Sequence, residues 1–125
     1  MTEHDNTVYL YHILDSIRKI EIYIDDYSFK EFISDEMALD AVLRNFEIIG
    51  EASNNLSDDF KENNAEVDFR SAVSIRNRLI HGYDDVDLEI VWNTVKEDLP
   101  QMEKLIKKIL KRCQKKNLKD KKPDY

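Results

Sequence analysis

Apolar residues recur at alternating steps of four and three positions through the last third of the chain. The series is Leu88, Trp92, Val95, Leu99, Met102, Ile106, Ile109 and Cys113. This period places its members on one side of an α-helix, where they form the seam of a long bundle helix. Pro100 lies inside the series. Because proline lacks the amide donor and its ring clashes with the preceding turn, we expect the helix to be kinked or broken near this residue.

Three more helices are predicted upstream. The first covers residues 6–28, and its apolar stripe is formed by Leu10, Ile13, Ile17, Ile20, Ile24 and Tyr27. The second begins after the pair Ser34–Asp35, either of which can cap it, and ends near Leu56. The third runs from about Val67 to His81, where Gly82 is a natural stop.

The composition supports an all-α fold. Only two glycines and two prolines occur in 125 residues, so hairpin turns and strand–helix crossovers are scarce. We therefore expect an antiparallel bundle of four to five helices, with one domain over residues 1–112 and a basic tail over residues 113–125. The only cysteine, Cys113, excludes an intramolecular disulfide and a multi-cysteine zinc site, which fits a cytoplasmic protein. We expect no membrane association, because no secretory signal or spanning segment is recognisable.

The formal net charge of −7 is unevenly distributed. Residues 1–103 contain 9 Lys and Arg against 24 Asp and Glu, whereas residues 104–125 contain 10 against 2. An acidic body argues against a broad nucleic-acid-binding surface, so we expect any RNA contact to be a local pocket. The basic tail can follow phosphates, although lysines are also common at solvated helix ends.

Arg76 is the least expected residue of the third predicted helix. At about 100° per residue it falls in the middle of an apolar face formed by Phe69, Ala72, Val73, Leu79 and Ile80. An unpaired buried charge is costly, so the guanidinium must meet a carboxylate, reach a water-filled cleft or hold an anion such as phosphate. Glu47 and Glu51 of the second helix are candidate partners. Asn77 and His81 are four residues apart and lie together beside this face.

A purely structural interpretation of these polar residues is also open. Arg76 would then belong to a core ion pair, Asn77 to a packing hydrogen bond, and His81 to a cap on the last carbonyls of its own helix. Gly50 raises a similar choice, because a glycine inside a helix costs about 1 kcal/mol relative to alanine and usually has a packing reason. It indicates a close approach to the second helix, unless the glycine is merely tolerated.

The segment "RNRLIHGY", residues 76–83, resembles the R-x4-H-x-Y signature of the HepT-like ribonuclease toxins, a branch of the HEPN superfamily of small helical proteins. Two further blocks resemble the same family and occur in the family's order. They are "RNFEIIGEASNNLS", residues 44–57, and "YDDVDLEIVWNTVKEDLPQMEKLI", residues 83–106. The resemblance covers nearly the whole chain without a departure at the motif positions. The lysine-rich extension from Lys111 onwards carries none of the family's motifs.

The resemblance implies a HEPN-type helical bundle and a metal-independent endoribonuclease, the toxin of a two-gene module whose antitoxin is a minimal nucleotidyltransferase. The substrate would be an RNA such as a tRNA or an mRNA. Attack by the RNA's own 2′-OH needs a proton carrier and a cation beside the phosphorane. His81 and Arg76 suit these roles as the catalytic pair, and Asn77, Glu47 and Glu51 would support them.

No metal or cofactor is expected. The three histidines His4, His12 and His81 lie on separate segments, and no carboxylate cluster with ligand spacing accompanies them.

A homodimer is expected from geometry and from the resemblance together. Arg76 and His81 are five positions apart, hence about 140° apart on an ideal helix, so one helix does not aim both at the same phosphate. If the third helices of two subunits face each other, a shared cleft can contain both residues from both chains, as the family's homodimers imply. The resemblance further implies that the antitoxin attaches AMP to Tyr83 and thereby silences the toxin.

The rival prediction is a helical module without catalytic activity. Such a module would bind a nucleotide, an RNA or another protein through the same groove. The presence of both Arg76 and His81 favours the enzyme over this alternative.

Overall fold

The computed structural model describes residues 3–82 and 86–120, and these ranges are helical apart from short connections. Seven α-helices occur in them, with one π-helical turn between the sixth and the seventh. In chain order the elements are α1 (Glu3–Tyr23), α2 (Phe29–Ser34), α3 (Glu36–Asn55), α4 (Asp58–Asn63), α5 (Phe69–His81), α6 (Leu88–Asn93), the π-helical turn (Thr94–Asp98) and α7 (Leu99–Asp120). The predicted all-α fold is therefore confirmed.

Side-chain caps determine where several helices begin. Asp35 accepts a hydrogen bond from the amide of Ala38 and caps α3, as one of the two predicted candidates. The hydroxyl of Tyr27 also donates to Asp35, and this bond is the main reason that the pKa of the carboxyl is lowered. Asp87 caps α6 through the amides of Glu89 and Ile90. A carboxylate at these positions satisfies amides that have no partner within the helix.

The first predicted helix is too long. Residues 24–26 form a turn, in which Asp26 adopts a left-handed conformation with φ of 62°. Ser28 then caps α2 in a reciprocal arrangement with Glu31, so the chain begins a new helix where the apolar pattern suggested that the old one continued. The polar connection after Leu56 likewise contains the short helix α4, capped by Ser57.

The long helices pack as antiparallel neighbours around one core. Asn6 near the start of α1 hydrogen-bonds to Ser57 just after α3, and Gln114 of α7 hydrogen-bonds to Tyr11 of α1. Helix α3 contacts both α1 and α5 extensively. The predicted stripes of α1 and of the last helix are largely buried; the fully buried members are Leu10, Ile13, Ile17, Ile20 and Ile106. Burial of this apolar surface is the main stabilising contribution to such a bundle.

The interruption predicted near Pro100 takes the form of the π-helical turn. The amide of Leu99 donates to the carbonyl of Thr94, five residues back, where an α-helix would bond four residues back. A proline ring clashes with the carbonyl four residues before it, and the wider turn immediately precedes Pro100. The helical path therefore continues from α6 into α7.

No helix in the described ranges is long and apolar enough to cross a membrane.

Candidate functional site

The last two turns of α5 carry the predicted site residues. Asp68 caps the start of α5, and its carboxylate accepts a hydrogen bond from the amide of Ser71 at 3.0 Å. Gly82 caps the end of α5, and its φ of 133° lies in a region that L-residues rarely adopt. The predicted glycine stop is therefore confirmed.

Arg76 lies at a close contact between α3 and α5. A Cβ atom added to Gly50 would lie 2.1 Å from the Cβ of Arg76 and 2.8 Å from the carbonyl oxygen of Ala72. Only glycine permits this approach, because any side chain would have to push the two helices apart. The predicted packing reason for Gly50 is thus an approach between two helices of the same chain, and it fixes the stem of Arg76 against α3.

The side chain of Arg76 is 27% exposed, and its guanidinium makes few contacts with the rest of the described chain. One terminal nitrogen donates to Oδ1 of Asn77 at 3.1 Å, and the other lies 3.9 Å from a carboxylate oxygen of Glu51. The buried Nε has no acceptor among the described residues. A guanidinium has five N–H donors in a planar fork. This arginine can consequently bind an anion with two parallel hydrogen bonds while keeping its present contacts.

The two candidate carboxylates behave differently. Glu51 reaches Arg76 only at the outer limit of an ion pair, and its side chain is 48% exposed. Glu47 does not pair with Arg76; it forms an ion pair at 3.1 Å with Arg44, three residues earlier on α3. An exposed pair at this separation contributes little stability, so Glu51 orients the guanidinium without neutralising it tightly.

His81 is exposed at the C-terminal end of α5. Within residues 3–82 and 86–120 it makes no hydrogen bond or ion pair, and the amide of Gly82 already satisfies the carbonyl of Leu79. The helix-capping role considered from the sequence is therefore not found among the described residues. Asn77 contacts Arg76 and has no hydrogen bond with His81 in those same ranges.

Arg76 does not lie in the middle of the buried face of α5. Phe69 and Leu79 are buried, but Ile80 is 58% exposed. Ile75, which was not predicted to face inward, packs against the core. The buried face of α5 is therefore rotated towards Ile75 relative to the face that the helical wheel predicts. The apolar residues of α5 do not alone determine which side is covered, because α3 and the groove beside it also contribute. Arg76 lies at the edge of this face beside the exposed Ile80.

A groove of about 440 Å³ lies on the other side of α5, between this helix and the segment that runs from α6 into α7. Its lining includes Ile75 and Arg78 of α5, and neither Arg76 nor His81 belongs to it. The two predicted catalytic residues therefore belong to an open surface of the single chain. By helix geometry they are separated by about 7.5 Å along the axis and about 140° around it.

Tyr83 lies outside the described residues, between Gly82 and Val86. Within the described ranges, no three His, Cys, Asp or Glu side chains come together as metal ligands do.

Sequence comparison finds similarity to one family model and to proteins that are named as ribonucleases. The family model described as "Ribonuclease HepT-like" matches residues 13–109. A protein of Thermococcus cleftensis named "Probable ribonuclease HepT" is 40% identical over 103 residues, which are 82% of this chain and 94% of that protein. A protein of Methanocaldococcus jannaschii named "Putative RNase MJ1380" is 39% identical over 104 residues, which are 83% of this chain and 95% of that protein. No solved structure matches significantly.

Proposed function

We propose that this chain, which belongs to the HepT-like ribonuclease family and is an endoribonuclease, is the toxin of a two-gene module. In this proposal it cleaves RNA without a metal, and Arg76 and His81 are its catalytic residues. One observation carries the assignment of the site. The Cβ of Arg76 is held against Gly50 of α3. Among the described residues its guanidinium nevertheless makes only one hydrogen bond, to Asn77 at 3.1 Å, and one contact of 3.9 Å with Glu51. Such an arginine is prepared for a phosphate group.

The proposed reaction uses the RNA's own 2′-OH as nucleophile. The bond from the 2′-oxygen to phosphorus forms and the bond from phosphorus to the 5′-oxygen breaks, which yields a cyclic 2′,3′-phosphate and a free 5′-OH. The proton of the 2′-OH must leave, and the departing 5′-oxygen must gain one. His81 is exposed and has no competing hydrogen bond among the described residues, so its imidazole is accessible for such a proton transfer. Arg76 would stabilise the negative charge that accumulates on the phosphorane oxygens.

The supporting residues have separate parts in this proposal. Asn77 holds one side of the Arg76 guanidinium through its Oδ1, and Glu51 holds the other side from α3. Glu47 pairs with Arg44 and would act only through the surface charge of α3. Asn77 and Glu51 are therefore positioning residues for the arginine.

A homodimer would complete the site. Arg76 and His81 diverge on one helix, and the surface next to Arg76 includes the exposed apolar side chain of Ile80. If α5 helices of two subunits pack against each other around a two-fold axis, Ile80 is covered and an arginine of one subunit approaches a histidine of the other. This arrangement would also convert an open surface into a cleft that holds a phosphate.

Regulation would act through Tyr83. This residue follows His81, the last residue of α5, by two positions in the sequence. A nucleotidyltransferase antitoxin would attach AMP there, with the tyrosine oxygen forming a bond to the α-phosphorus of ATP and pyrophosphate leaving. The attached phosphodiester would place a negative charge near the cationic site and compete with RNA for it.

The test is cleavage of cellular RNA by purified protein in EDTA. We expect wild type to cleave, and Arg76→Ala and His81→Ala each to lose at least about a hundredfold in rate, the usual scale for a missing proton carrier or charge stabiliser. Arg70→Ala and His12→Ala are matched controls, because both side chains are exposed and lie outside the proposed site. Full activity of either site variant, or a requirement of wild type for a divalent ion, would contradict the mechanism. RNA binding without cleavage by wild type would favour the non-catalytic module.

A further inference from the structure

The outward side of α7 carries a row of lysines, which we call the lysine stripe: Lys104, Lys108, Lys111 and Lys115. Steps of four, three and four residues keep these side chains within about 60° on the helix surface. All four are exposed. At a rise of 1.5 Å per residue, the stripe is about 16 Å long.

The stripe is electrostatically unbalanced. Its four lysines form no ion pair among the described residues, whereas the nearby Lys107 pairs with Glu103 and Arg112 pairs with Glu66. The sequence from residue 104 to residue 119 contains eight Lys and Arg and no Asp or Glu. The rest of the chain is strongly acidic, so this positive potential is local to the outer side of α7.

The opposite side of α7 is occupied by the core. Met102, Ile106 and Ile109 are buried in it. The helix therefore cannot turn an apolar side towards a lipid bilayer, as a membrane-surface helix must. The exposed side of α7 instead presents a straight row of ammonium groups. Their flexible side chains extend from a helix that is packed against the core, and such a row suits a linear polyanion.

We propose that the lysine stripe binds the phosphate backbone of single-stranded RNA and holds the substrate to the enzyme independently of its sequence. The inference rests on the proposed ribonuclease function. An acidic protein repels a polyanionic substrate, so a local cationic surface is needed to retain it. An RNA substrate therefore accounts for the stripe more directly than an acidic protein partner does.

The stripe is separate from the site on α5. Arg112 of α7 meets Glu66, which lies just before α5, so the basic end of α7 is beside the start of α5 and away from His81. The part of the stripe from Lys111 onwards also lies beyond residue 109, where the family match ends. The lysines would therefore contribute to substrate binding and not to the chemical step.

The test compares two fourfold variants in the His81→Ala background, which prevents cleavage during binding. One changes the lysines at 104, 108, 111 and 115 to glutamine, and the matched control changes the same residues to arginine. Fluorescence anisotropy of a labelled oligouridylate, longer than the stripe, gives the affinity as a function of salt. Each phosphate contact to a single strand contributes about −0.7 to the slope of log affinity against log salt, so losing four contacts reduces the slope by about 3.

We expect the glutamine variant to bind at least about tenfold more weakly at about 50 mM salt, with the smaller slope, and the arginine variant to bind like its parent. With His81 restored, the glutamine variant should show a raised KM on long RNA and an unchanged kcat on a dinucleotide. Unchanged affinity and slope would overturn the inference, as would loss of antitoxin binding with RNA affinity intact. Failure of the proposed function would look different: wild type would not cleave RNA at all.

Discussion

Replacement of Gly50 by alanine tests the contact on which the site is built. The new Cβ would lie 2.1 Å from the Cβ of Arg76, so α5 must retreat by at least about 1.3 Å to restore a contact of 3.4 Å. The second obstacle, the carbonyl oxygen of Ala72 at 2.8 Å, is backbone and cannot rotate away. Overpacking of this kind costs about 3 kcal/mol, and the better helix propensity of alanine returns about 1 kcal/mol, so the variant should lose about 2 kcal/mol.

Urea unfolding at one fixed protein concentration measures this loss, because the stability of an assembling protein depends on concentration. With a slope of about 1.5 kcal/mol/M, the midpoint should fall by about 1.3 M. Cleavage of RNA should fall as well, because Arg76 moves with α5. Asn54→Ala is the matched control: this residue is exposed on α3 and the substitution raises helix propensity, so the midpoint should not fall.

A second substitution locates the overlap. Arg76→Gly removes the Cβ that the new methyl group would meet, whereas Arg76→Ala retains it. The cost of Gly50→Ala should therefore be smaller in the Arg76→Gly background than in the Arg76→Ala background, which a double-mutant cycle measures directly. If Gly50→Ala is as stable as wild type or more stable, helix propensity alone describes the position and the close approach of α3 to α5 is refuted.

Two further predictions concern Glu21 and Gly82. Burial, and then the negative charge of Glu103, raise the pKa of Glu21 above its ordinary value of 4.5. The folded state therefore binds the Glu21 proton more tightly than the unfolded state does, and the free energy of unfolding falls as the pH rises above about 4.5. Glu21→Gln should therefore flatten the decline in urea midpoint from acidic to neutral pH, and an unchanged pH profile would contradict the repulsion between α1 and α7. Gly82→Ala should destabilise the protein by about 1 kcal/mol or more, because its φ of 133° strains any L-residue even though the added methyl group meets open space. An unfolding midpoint equal to that of wild type would show that the end of α5 adapts.

Helix ends were predictable where a specific local chemistry determines them. Asp35 as a cap and Gly82 as a stop depend on their own backbone and a few neighbouring amides, so the sequence pattern is sufficient. The early end of α1 depends on the left-handed conformation of Asp26, which an apolar stripe continuing to Tyr27 conceals. The short helices α2 and α4 were not predicted, because six residues are too few to show an apolar period.

The residues assigned to the candidate site stay predictions from the sequence, which says less about their arrangement. The mid-helix position of Gly50 correctly indicated a close approach, but only the structure identifies Arg76 and Ala72 as the atoms on the other side. The choice between Glu47 and Glu51 depends on the rotation of α3, which the pattern does not fix to within one residue. The exposure of Ile80 likewise depends on which neighbour covers α5.

Helix α3 lies between α1 and α5, whereas α5 packs mainly on α3. The helix that carries Arg76 and His81 is thus attached to the domain along one side. Because α5 is held along one side, we expect its amide protons to exchange with a smaller free energy of opening than those of α1 and α3, which hydrogen exchange would measure. A second subunit covering Ile80 would raise the free energy of this opening. Formation of the dimer and local order of the reactive helix would then be coupled, and dilution would loosen the site before it unfolded the protein.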